Sequence, residues 1–552
     1  MPKAHRKIAL LSNITAELVA RKLRRDYDVF LPPGFDTWVQ QIVSPDSELW
    51  SLDADAVIVL LDGTEARGYR DAQEAAEKLT MWKRAVSVLA ERFDRSPVFI
   101  STVDLRTTRI LALAERKYHY ALESDWADFV QRLSEERHNV YLFDLNEVIA
   151  DMGRRQFYSD KMWYMSNMPY SLEGLNALSQ SLRRLLGAAF DARRKVIALD
   201  LDNTLWGGVV GEDGTDKIEL SPVKEGARYY DFQRCLNEMR SRGVLLAINS
   251  KNNPEDAEQA IREHPAMLLR DDSFVSRMIN WQDKATNLRR MEADLNITES
   301  GFIFVDDNPL ERDIVKGGCP EALVPDFPED TAQLSSFAEE LWYDHLMPLR
   351  VLEADRKKTE NYLNDVKRKA LLNESLSIDE YIGKLAMSVD IHRLRPEELE
   401  RAAQLINKTN QFNLTTRRYT QAELGALADR QDCAVYVVYC SDRYGDNGLI
   451  SVVILKLTAQ GTLIDTFLMS CRVMGRGLES VIVDRLAGAY ADTEALIGEY
   501  IPTAKNTPVS DLYKRLGFSL TAEQDGKRTY RMSVKNHVEK SFDHYSAISF
   551  EK

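Results

Sequence analysis

Short apolar runs alternate with amphipathic stretches over about the first 190 residues. The apolar runs read KIALLSN, AVIVLLDG, PVFIST and VYLFDL, and the stretches between them repeat apolar positions every three or four residues. This alternation is typical of strands and helices that build a parallel, doubly wound sheet. A last helical pattern over residues 171–192 closes the unit, so we predict an α/β domain over residues 1–192.

The same alternation begins again at residue 193. Predicted strands lie at residues 195–202, 244–250 and 301–308, with helical patterns between them. These patterns predict a second doubly wound α/β domain over residues 193–345.

A charged helical pattern at residues 351–375 then predicts a helical linker over residues 346–376. Beyond it, three apolar runs predict consecutive antiparallel strands, with two helices after them. These runs read AVYVVYC, LISVVILKLT and TLIDTFLMS. The last domain, residues 377–552, is therefore expected to be mixed α+β. The predicted fold class is a multidomain α/β protein with two doubly wound domains and a mixed third domain.

Length, charge and cysteine usage narrow the classes of function. A chain of 552 residues and 63.1 kDa is too long for one hydrophobic core. No stretch approaches the roughly 18 consecutive apolar residues of a membrane span. The net charge of −14 disfavours nucleic acid or an anionic membrane surface as a partner, because both bind clustered cations. The five cysteines are scattered and form no CxxC pair, and the N-terminus lacks a signal-peptide cleavage pattern, so we expect a cytoplasmic protein.

The stretch VIALDLDNTLWGG places Asp200 and Asp202 at the end of a predicted strand. Ligands of doubly wound sheets bind outside the carboxyl ends of the strands, and residues two apart on a strand point to the same face. Two neighbouring carboxylates repel unless a hard cation such as Mg²⁺ lies between them or one is protonated. The pair therefore suits phosphoryl transfer, in which one carboxylate attacks phosphorus and the other protonates the leaving oxygen. The alternative is a polar strand terminus without chemistry.

Three further features accompany this pair. Ser250 ends the second strand, where its hydroxyl can bind a phosphoryl oxygen or simply cap a helix. Asp306 and Asp307 end the third strand, where they can complete a metal shell or mark a turn. Lys284 begins a helix, where it can neutralise a phosphoryl group or remain solvated. The ordered set of DxDxT, serine, lysine and DD is more specific than any of its members.

These residues resemble the four motifs of the haloacid dehalogenase superfamily, and DLDNTLWGGVVGEDG is similar to its FkbH-like branch. The resemblance implies that Asp200 is the nucleophile and Asp202 the general acid and base. It also implies that Thr204, Ser250 and Lys284 bind the substrate. The cofactor it implies is Mg²⁺, held by Asp200, the backbone carbonyl of Asp202 and one of Asp306 or Asp307. Asp307 is favoured, because the superfamily places another acid four residues after the ligand, here Glu311.

The spacing of the motifs indicates how large a substrate the site can accept. Between Asp200 and Ser250 there is room only for a hairpin at residues 206–220 and a helix at about residues 224–242. An inserted cap domain does not fit there. We therefore expect an open site, which favours a large or protein-tethered substrate.

The last domain carries Arg472, Gly475 and Gly477 in an R-x-x-G-x-G pattern between a strand and a helix. This pattern resembles the acyl-CoA-binding loop of GNAT-type acyltransferases, in which backbone amides at a helix N-terminus bind the phosphate of a pantetheine arm. Asn506 and Tyr513, before LGF, resemble the other end of the same fold. The resemblance implies that these five residues bind the pantetheine of an acyl carrier.

Cys471 lies directly before this loop. Its thiolate can accept an acyl group and pass it to a pantetheine thiol, or it can be a small core residue. Cys433 and Cys440, in an apolar strand, are expected to pack. In NQFNLTTRRYT, Arg417 or Arg418 can hold a phosphate or carboxylate, or belong to a solvated turn.

The first domain resembles SGNH-type hydrolases, because LLSNIT follows its first strand and YSDKMWY follows later. The Gly-Asp that precedes the nucleophilic serine in that family is missing here, and Trp163 stands in place of the histidine. Ser12 thus lacks an evident base. We expect a non-hydrolytic domain that docks partners or covers the phosphatase site.

The FkbH-like resemblance implies a glyceryl transferase and phosphatase for polyketide-type biosynthesis. It would take a glyceryl unit from 1,3-bisphosphoglycerate, remove phosphate and load the unit onto an acyl carrier protein as a thioester. The alternatives are a stand-alone Mg²⁺-dependent phosphatase and a non-catalytic scaffold. Because carrier proteins are acidic, docking needs a local basic patch. The candidates for it are Arg417, Arg418, Arg472, Arg476, Lys505, Lys514 and Arg515.

Overall fold

The computed structural model describes residues 6–65, 72–106, 112–375 and 377–552. The chain divides into two compact units, Met1–Lys357 and Lys358–Lys552. Among the described residues, the first unit contains two parallel sheets and the second contains one mixed sheet. The expected fold class is therefore confirmed. Within the same ranges, no helix combines the length and the apolar character that a membrane crossing needs.

Five parallel strands form the sheet of the N-terminal domain: β1 Lys7–Ser12, β2 Asp28–Phe30, β3 Ala56–Leu60, β4 Val98–Ser101 and β5 Val140–Phe143. Their order across the sheet is β2-β1-β3-β4-β5. The helices are α1 Glu17–Leu23, α2 Trp38–Val43, α3 Glu48–Ser51, α4 Ala72–Arg92, α5 Lys117–Glu136, α6 Leu145–Met152, α7 Arg154–Phe157, α8 Asp160–Ser166 and α9 Leu172–Phe190. Helices pack on both faces of the sheet, which explains why its strands read as continuous apolar runs.

Four parallel strands form the sheet of the middle domain: β6 Val196–Leu199, β7 Leu245–Ser250, β8 Phe274–Ile279 and β9 Phe302–Val305. Their order is β8-β7-β6-β9. The helices are α10 Val210–Asp213, α11 Ala227–Ser241, α12 Pro254–Glu263, α13 Lys284–Leu295, α14 Pro309–Gly318, α15 Leu334–Leu341 and α16 Glu353–Arg356, and a π-helical turn covers Trp342–Leu346. The adjacent β6 and β9 bring the two aspartate pairs to one edge of the sheet.

The strands of this domain differ from the predicted ones in two respects. β6 ends at Leu199 and β9 at Val305, so both aspartate pairs lie in the turns after the strands. β8 was not predicted, because FVSRMI is an edge strand whose polar residues are partly exposed and break the apolar run.

The predicted hairpin after β6 is a loop with one antiparallel bridge, between Gly207 and Glu219, and it encloses the single turn of α10. The predicted helix that follows is α11, preceded by one 3-10 turn. No cap domain is inserted in the fully described stretch between Asp200 and Ser250, as the spacing predicted.

The second unit begins at Lys358, earlier than the predicted boundary. The predicted linker helix is in fact two helices, α16 and α17 Lys358–Asn373, which are separated at Lys357. α17 belongs to the second unit. The other helices of this unit are α18 Ile378–Leu385, α19 Leu399–Lys408, α20 Gln421–Ala428, α21 Leu478–Ala489 and α22 Leu512–Arg515.

One mixed sheet organises this unit. Its strands are β10 Ser388–Arg393, β11 Cys433–Asp442, β12 Gly445–Thr458, β13 Gly461–Met469, β14 Ala495–Tyr500, β15 Ser519–Gln524, β16 Lys527–Ser533 and β17 Ala547–Phe550. The order is β15-β16-β14-β13-β12-β11-β10-β17. The predicted antiparallel run is present in β11 to β13. Two parallel pairings, of β13 with β14 and of β10 with β17, make the sheet mixed.

β13 and β14 pair over only three residues. Beyond that point, residues 412–414 lie between the two strands: the Leu414 N–H donates to the Phe467 carbonyl at 3.1 Å, and the Leu414 carbonyl accepts from the Ile501 N–H at 2.8 Å. Leu414 is fully buried. Residues 412–415 of the NQFNLTTRR stretch are therefore part of the core, whereas Gln411 and Arg418 are exposed.

Candidate active site

The predicted phosphoryl-transfer residues converge at the carboxyl edge of the middle-domain sheet. Asp200 and Asp202 follow β6, Ser250 ends β7, and Asp306 and Asp307 follow β9, whereas Lys284 begins α13. In doubly wound sheets this edge is where ligands bind.

Asp200, Asp306 and Asp307 form a cluster in which one carboxylate oxygen of each lies within 4.8 Å of the others. Asp306 is fully buried and Asp200 nearly so. Burial and the neighbouring Asp200 raise the pKa of Asp306 to about 6. The same two causes raise the pKa of Asp307. The cluster therefore concentrates negative charge that the protein alone neutralises only in part.

Lys284 supplies the cation within this cluster. Its Nζ lies 2.9 Å from Asp200 Oδ1 and 2.5 Å from Asp306 Oδ2, and the residue is only 2% exposed. Burial lowers the pKa of this ammonium, but the two carboxylates raise it by more. The pKa of Lys284 is therefore raised overall. The alternative of a solvated lysine is wrong.

The residues of this cluster fit Mg²⁺, which prefers carboxylate and carbonyl oxygens. Asp200 Oδ1 is buried and forms an ion pair with Lys284, but it accepts no hydrogen bond from any residue that the structure describes. Asp306 is already bound by Lys284 and by the Asn308 N–H at 2.9 Å. The carboxylate of Asp307 is thus better placed than that of Asp306 to act as a ligand together with Asp200.

Asp202 lies beside the cluster and is held by donors from two loops. Its carboxylate accepts hydrogen bonds from Trp206 Nε1 at 2.8 Å, the Val210 N–H at 3.1 Å and Asn252 Nδ2 at 2.9 Å. Burial raises its pKa, and Asp200 adds to the effect. Sequence reasoning missed Trp206 and Asn252 as site residues. The signal available was that Asn252 follows Ser250 by two positions.

Thr204 and Glu311 both have partners inside the protein. Thr204 is fully buried, and its hydroxyl accepts the Asp307 N–H at 3.2 Å, so it connects the loops after β6 and β9 and is not exposed to a substrate. Glu311 Oε1 lies 2.6 Å from Lys251 Nζ. Within the described residues, Glu311 is not a member of the carboxylate cluster.

Cys471 is exposed in a short 3-10 turn, Cys471–Val473, directly after β13. Gly475 and Gly477 have φ angles of +77° and +74°, in the left-handed region that favours glycine, and Gly477 is the N-cap of α21. The alternative of a buried core cysteine is wrong for Cys471. Cys433 and Cys440 are buried in β11, as expected.

Arg417 and Arg418 have partners inside their own unit. Arg417 lies 2.9 Å from Asp465 and 2.8 Å from Glu499. Arg418 donates to the Thr409 carbonyl at 2.9 Å and also to the Ile406 carbonyl. Both side chains therefore have structural partners, and their role as ligands for a phosphate or carboxylate stays a prediction.

Asn506 and Tyr513 are also internal. Asn506 is fully buried and donates to the carbonyls of Asn413 and Ile501, both at 2.9 Å. The Tyr513 ring is buried against Gly498. Neither presents a surface to a pantetheine arm, so of the five residues predicted to bind one, only Arg472 and the two glycines remain.

Ser12 and Asn13, at the end of β1, are hydrogen-bonded to residues at the end of β3. The Ser12 hydroxyl donates to the Leu60 carbonyl at 2.6 Å. The Asn13 side chain makes two hydrogen bonds to the backbone of Asp62, both of 2.8 Å. These bonds join the ends of β1 and β3, and the non-hydrolytic role of the domain stays a prediction.

Asp62 makes the stability of the first unit depend on pH. The side chain is fully buried, and this burial raises its pKa from 3.8 to about 6. Because the folded pKa lies above the unfolded one, the free energy of unfolding falls as the pH rises from about 4 to about 6. Asp62→Asn removes the buried charge, so at pH 7.5 we expect the variant to be more stable than the wild type by about 2 to 3 kcal/mol.

At pH 4.5 that difference should nearly vanish, which denaturant unfolding of both proteins at the two pH values would test. Asp94→Asn, at an exposed position of the same domain, serves as the control. A gain of equal size at both pH values would contradict the assignment.

Comparisons with known proteins found similar solved structures. No protein-family model matches the chain, and no curated protein matches it. A crystal structure of the N-terminal part of the protein BF1531 from Bacteroides fragilis, containing a phosphatase domain and complexed with Mg, is similar with a TM-score of 0.57 and 25% identity. The match covers 63% of this chain and 95% of that one.

Acetyltransferase structures match a smaller share of the chain. The ribosomal-protein-S18-alanine N-acetyltransferase from Escherichia coli has a TM-score of 0.22 and 12% identity, over 28% of this chain and 98% of that one. The GNAT domain of S. lividans PAT has a TM-score of 0.22 and 13% identity, over 26% of this chain and 89% of that one.

Proposed function

We propose that the first unit is a Mg²⁺-dependent phosphatase that transfers a phosphoryl group to Asp200 and then to water. One observation carries this proposal: Asp200, Asp202, Lys284, Asp306 and Asp307 come from separate stretches of the chain and meet at one sheet edge, with Lys284 bridging two of the carboxylates. The similarity to the BF1531 fragment, which contains a phosphatase domain and Mg, supports it.

In the first step the Asp200 carboxylate attacks phosphorus, and the bond from phosphorus to the leaving oxygen breaks. Asp202 gives its proton to that oxygen. The Lys284 ammonium stabilises the charge on the transferring group. Asp200 and Asp307 would hold Mg²⁺, whose positive charge would let an anionic phosphate approach a carboxylate.

In the second step Asp202, now a carboxylate, takes a proton from water. The water oxygen attacks phosphorus, and the bond between phosphorus and Asp200 breaks. Inorganic phosphate leaves, Asp200 regains its carboxylate, and Asp202 regains its proton. The two aspartates therefore return to their starting states after each turnover.

The finer proposal is that the whole chain loads a glyceryl unit from 1,3-bisphosphoglycerate onto an acyl carrier protein and removes phosphate. The sequence resemblance to FkbH-like proteins supports it, and so does a phosphatase site without a cap domain, which accepts a large or tethered substrate. An acyl phosphate is already activated for attack by a thiol, whereas a phosphate monoester needs the aspartates. The two reactions, acyl transfer to a thiol and hydrolysis of a phosphate monoester, would therefore each use a catalytic region of their own.

In the acyl transfer, the Cys471 thiolate would attack the acyl carbon of the acyl phosphate, and inorganic phosphate would leave with the electron pair of the broken C–O bond. The carrier thiol then loses its proton to solvent, its thiolate attacks the resulting thioester, and the Cys471 thiolate leaves. The exposure of Cys471 supports this role, because a buried thiol is inert. Arg476 is buried in an ion pair with Asp442, and Arg417 pairs with Asp465 and Glu499. The basic residues left for carrier docking are the exposed Arg418, Arg472, Lys505, Lys514 and Arg515.

Intact-protein mass spectrometry tests the transfer. The carrier protein, 1,3-bisphosphoglycerate, Mg²⁺ and this protein are mixed, and both proteins are then weighed. We expect a glyceryl or phosphoglyceryl adduct on the carrier, and its loss in Cys471→Ala but not in the control Cys235→Ala, which alters a half-buried thiol of the other unit.

Three results would contradict parts of the proposal. Phosphate release without an adduct on the carrier would leave a stand-alone phosphatase. Loading that survives Cys471→Ala would remove the thiol from the pathway. If neither phosphate release nor loading were observed, the result would favour a non-catalytic scaffold.

A further inference from the structure

The hydrogen bonds to Asp202 are shared unequally between its two carboxylate oxygens. Oδ1 accepts two, from Trp206 Nε1 at 2.8 Å and from the Val210 N–H at 3.1 Å. Oδ2 accepts one, from Asn252 Nδ2 at 2.9 Å. Because a carboxylate oxygen offers about two lone pairs, Oδ1 is saturated and Oδ2 keeps one lone pair free.

We infer that Asp202 Oδ2 is the atom that delivers the proton to the leaving group, and that Trp206 and Asn252 are positioning residues for this transfer. The inference rests on the proposed phosphatase function. A proton on Oδ1 would have to displace one of two N–H donors and leave it without an acceptor, which is costly where the donor is buried. A proton on Oδ2 occupies the free lone pair and displaces nothing.

Both side-chain donors are held in place by their own surroundings. The Trp206 ring is fully buried in the apolar core of the middle domain, and the bridge between Gly207 and Glu219 closes the loop directly after it. The Asn252 amide has one orientation, because its Oδ1 accepts the Asn253 N–H at 2.9 Å and its Nδ2 therefore faces Asp202. Asp202 thus meets a rigid set of donors, which is what preorganisation of a catalytic group requires.

The assignment completes the proton balance of the reaction. As the bond from Asp200 to phosphorus forms, the bond to the leaving oxygen breaks, and that oxygen keeps the electron pair and takes the proton from Oδ2. In the second half, Oδ2 receives a proton from the attacking water. One atom serves as acid and then as base, while Oδ1 stays fixed by Trp206 and Val210.

The experiment compares phenyl phosphate with p-nitrophenyl phosphate, because phenolate needs a proton when it leaves and p-nitrophenolate hardly does. In Trp206→Phe, and in Asn252→Ala as a second variant, we expect kcat/KM for phenyl phosphate to fall on the order of 10- to 100-fold. For p-nitrophenyl phosphate we expect a change of less than about threefold, since kcat/KM reports only the steps up to departure of the leaving group.

Two controls separate positioning from structural damage. Trp82→Phe removes a buried indole N–H that has no hydrogen-bond partner among the described residues, and it should leave both values unchanged. In an Asp202→Asn background, Trp206→Phe should have no further effect on phenyl phosphate, because the residue acts through Asp202.

Equal losses on both substrates, or a loss that persists in the Asp202→Asn background, would overturn the inference. Failure of the proposed function looks different, because the wild-type protein would then hydrolyse neither substrate.

Discussion

Asp200→Asn is expected to lower phosphate release on the order of 10⁴-fold or more, with no loss of folded protein. The amide is not a nucleophile toward phosphorus, and no other carboxylate takes its place, because Asp306 is bound by Lys284 and Asp202 by three donors. Steady-state release of inorganic phosphate from p-nitrophenyl phosphate measures the effect. The fold should survive, because Lys284 keeps Asp306 as an ionic partner.

A matched control for this variant is Asp326→Asn, in the same domain, whose side chain is 90% exposed. It should keep wild-type activity. If Asp200→Asn retained more than about a tenth of the wild-type rate, Asp200 would not be the nucleophile.

Lys284→Met is expected to reduce both activity and stability. Removing the cation leaves Asp200 and Asp306 as neighbouring buried carboxylates, and breaking such a buried ion pair from one side typically costs about 3 to 5 kcal/mol. Denaturant unfolding in the presence of EDTA measures the loss. Added Mg²⁺ should stabilise the variant more than the wild type, since a divalent cation held by Asp200 and Asp307, next to Asp306, replaces part of the missing charge.

The control is Lys316→Met, in the same domain, whose ammonium forms an ion pair with Asp326 at the surface. A change of less than about 0.5 kcal/mol is expected there. Equal stability of Lys284→Met and the wild type in EDTA would show that the two carboxylates do not depend on this lysine.

The phosphoryl-transfer site was the part most open to prediction. Asp200, Ser250 and Asp306 each follow an apolar run, and the carboxyl ends of parallel strands meet at one edge whatever lies between them. The spacing of such runs therefore sufficed to group the residues. The burial of Lys284 could not be read in the same way, because a lysine at the start of a helix is buried only when carboxylates from other strands surround it.

The second unit shows why other contacts could not be predicted from the sequence. Arg417 pairs with Asp465 and Glu499, which lie 48 and 82 residues further along the chain. Asn506 donates to a carbonyl 93 residues before it. No local pattern encodes such partners, so polar residues that fasten a sheet look the same in sequence as polar residues that bind a ligand.

The strand β17 has a consequence for the synthesis of the protein. It pairs with β10 along the outer side of the sheet, and Ser549 contacts Val389, 160 residues earlier in the chain. At a synthesis rate of about 5 to 20 residues per second, β10 is made roughly 10 to 30 seconds before β17. Until then its backbone groups on that side are a template for pairing with another nascent chain. Pairing of residues 547–550 with β10 therefore ends the period in which β10 can aggregate through that side.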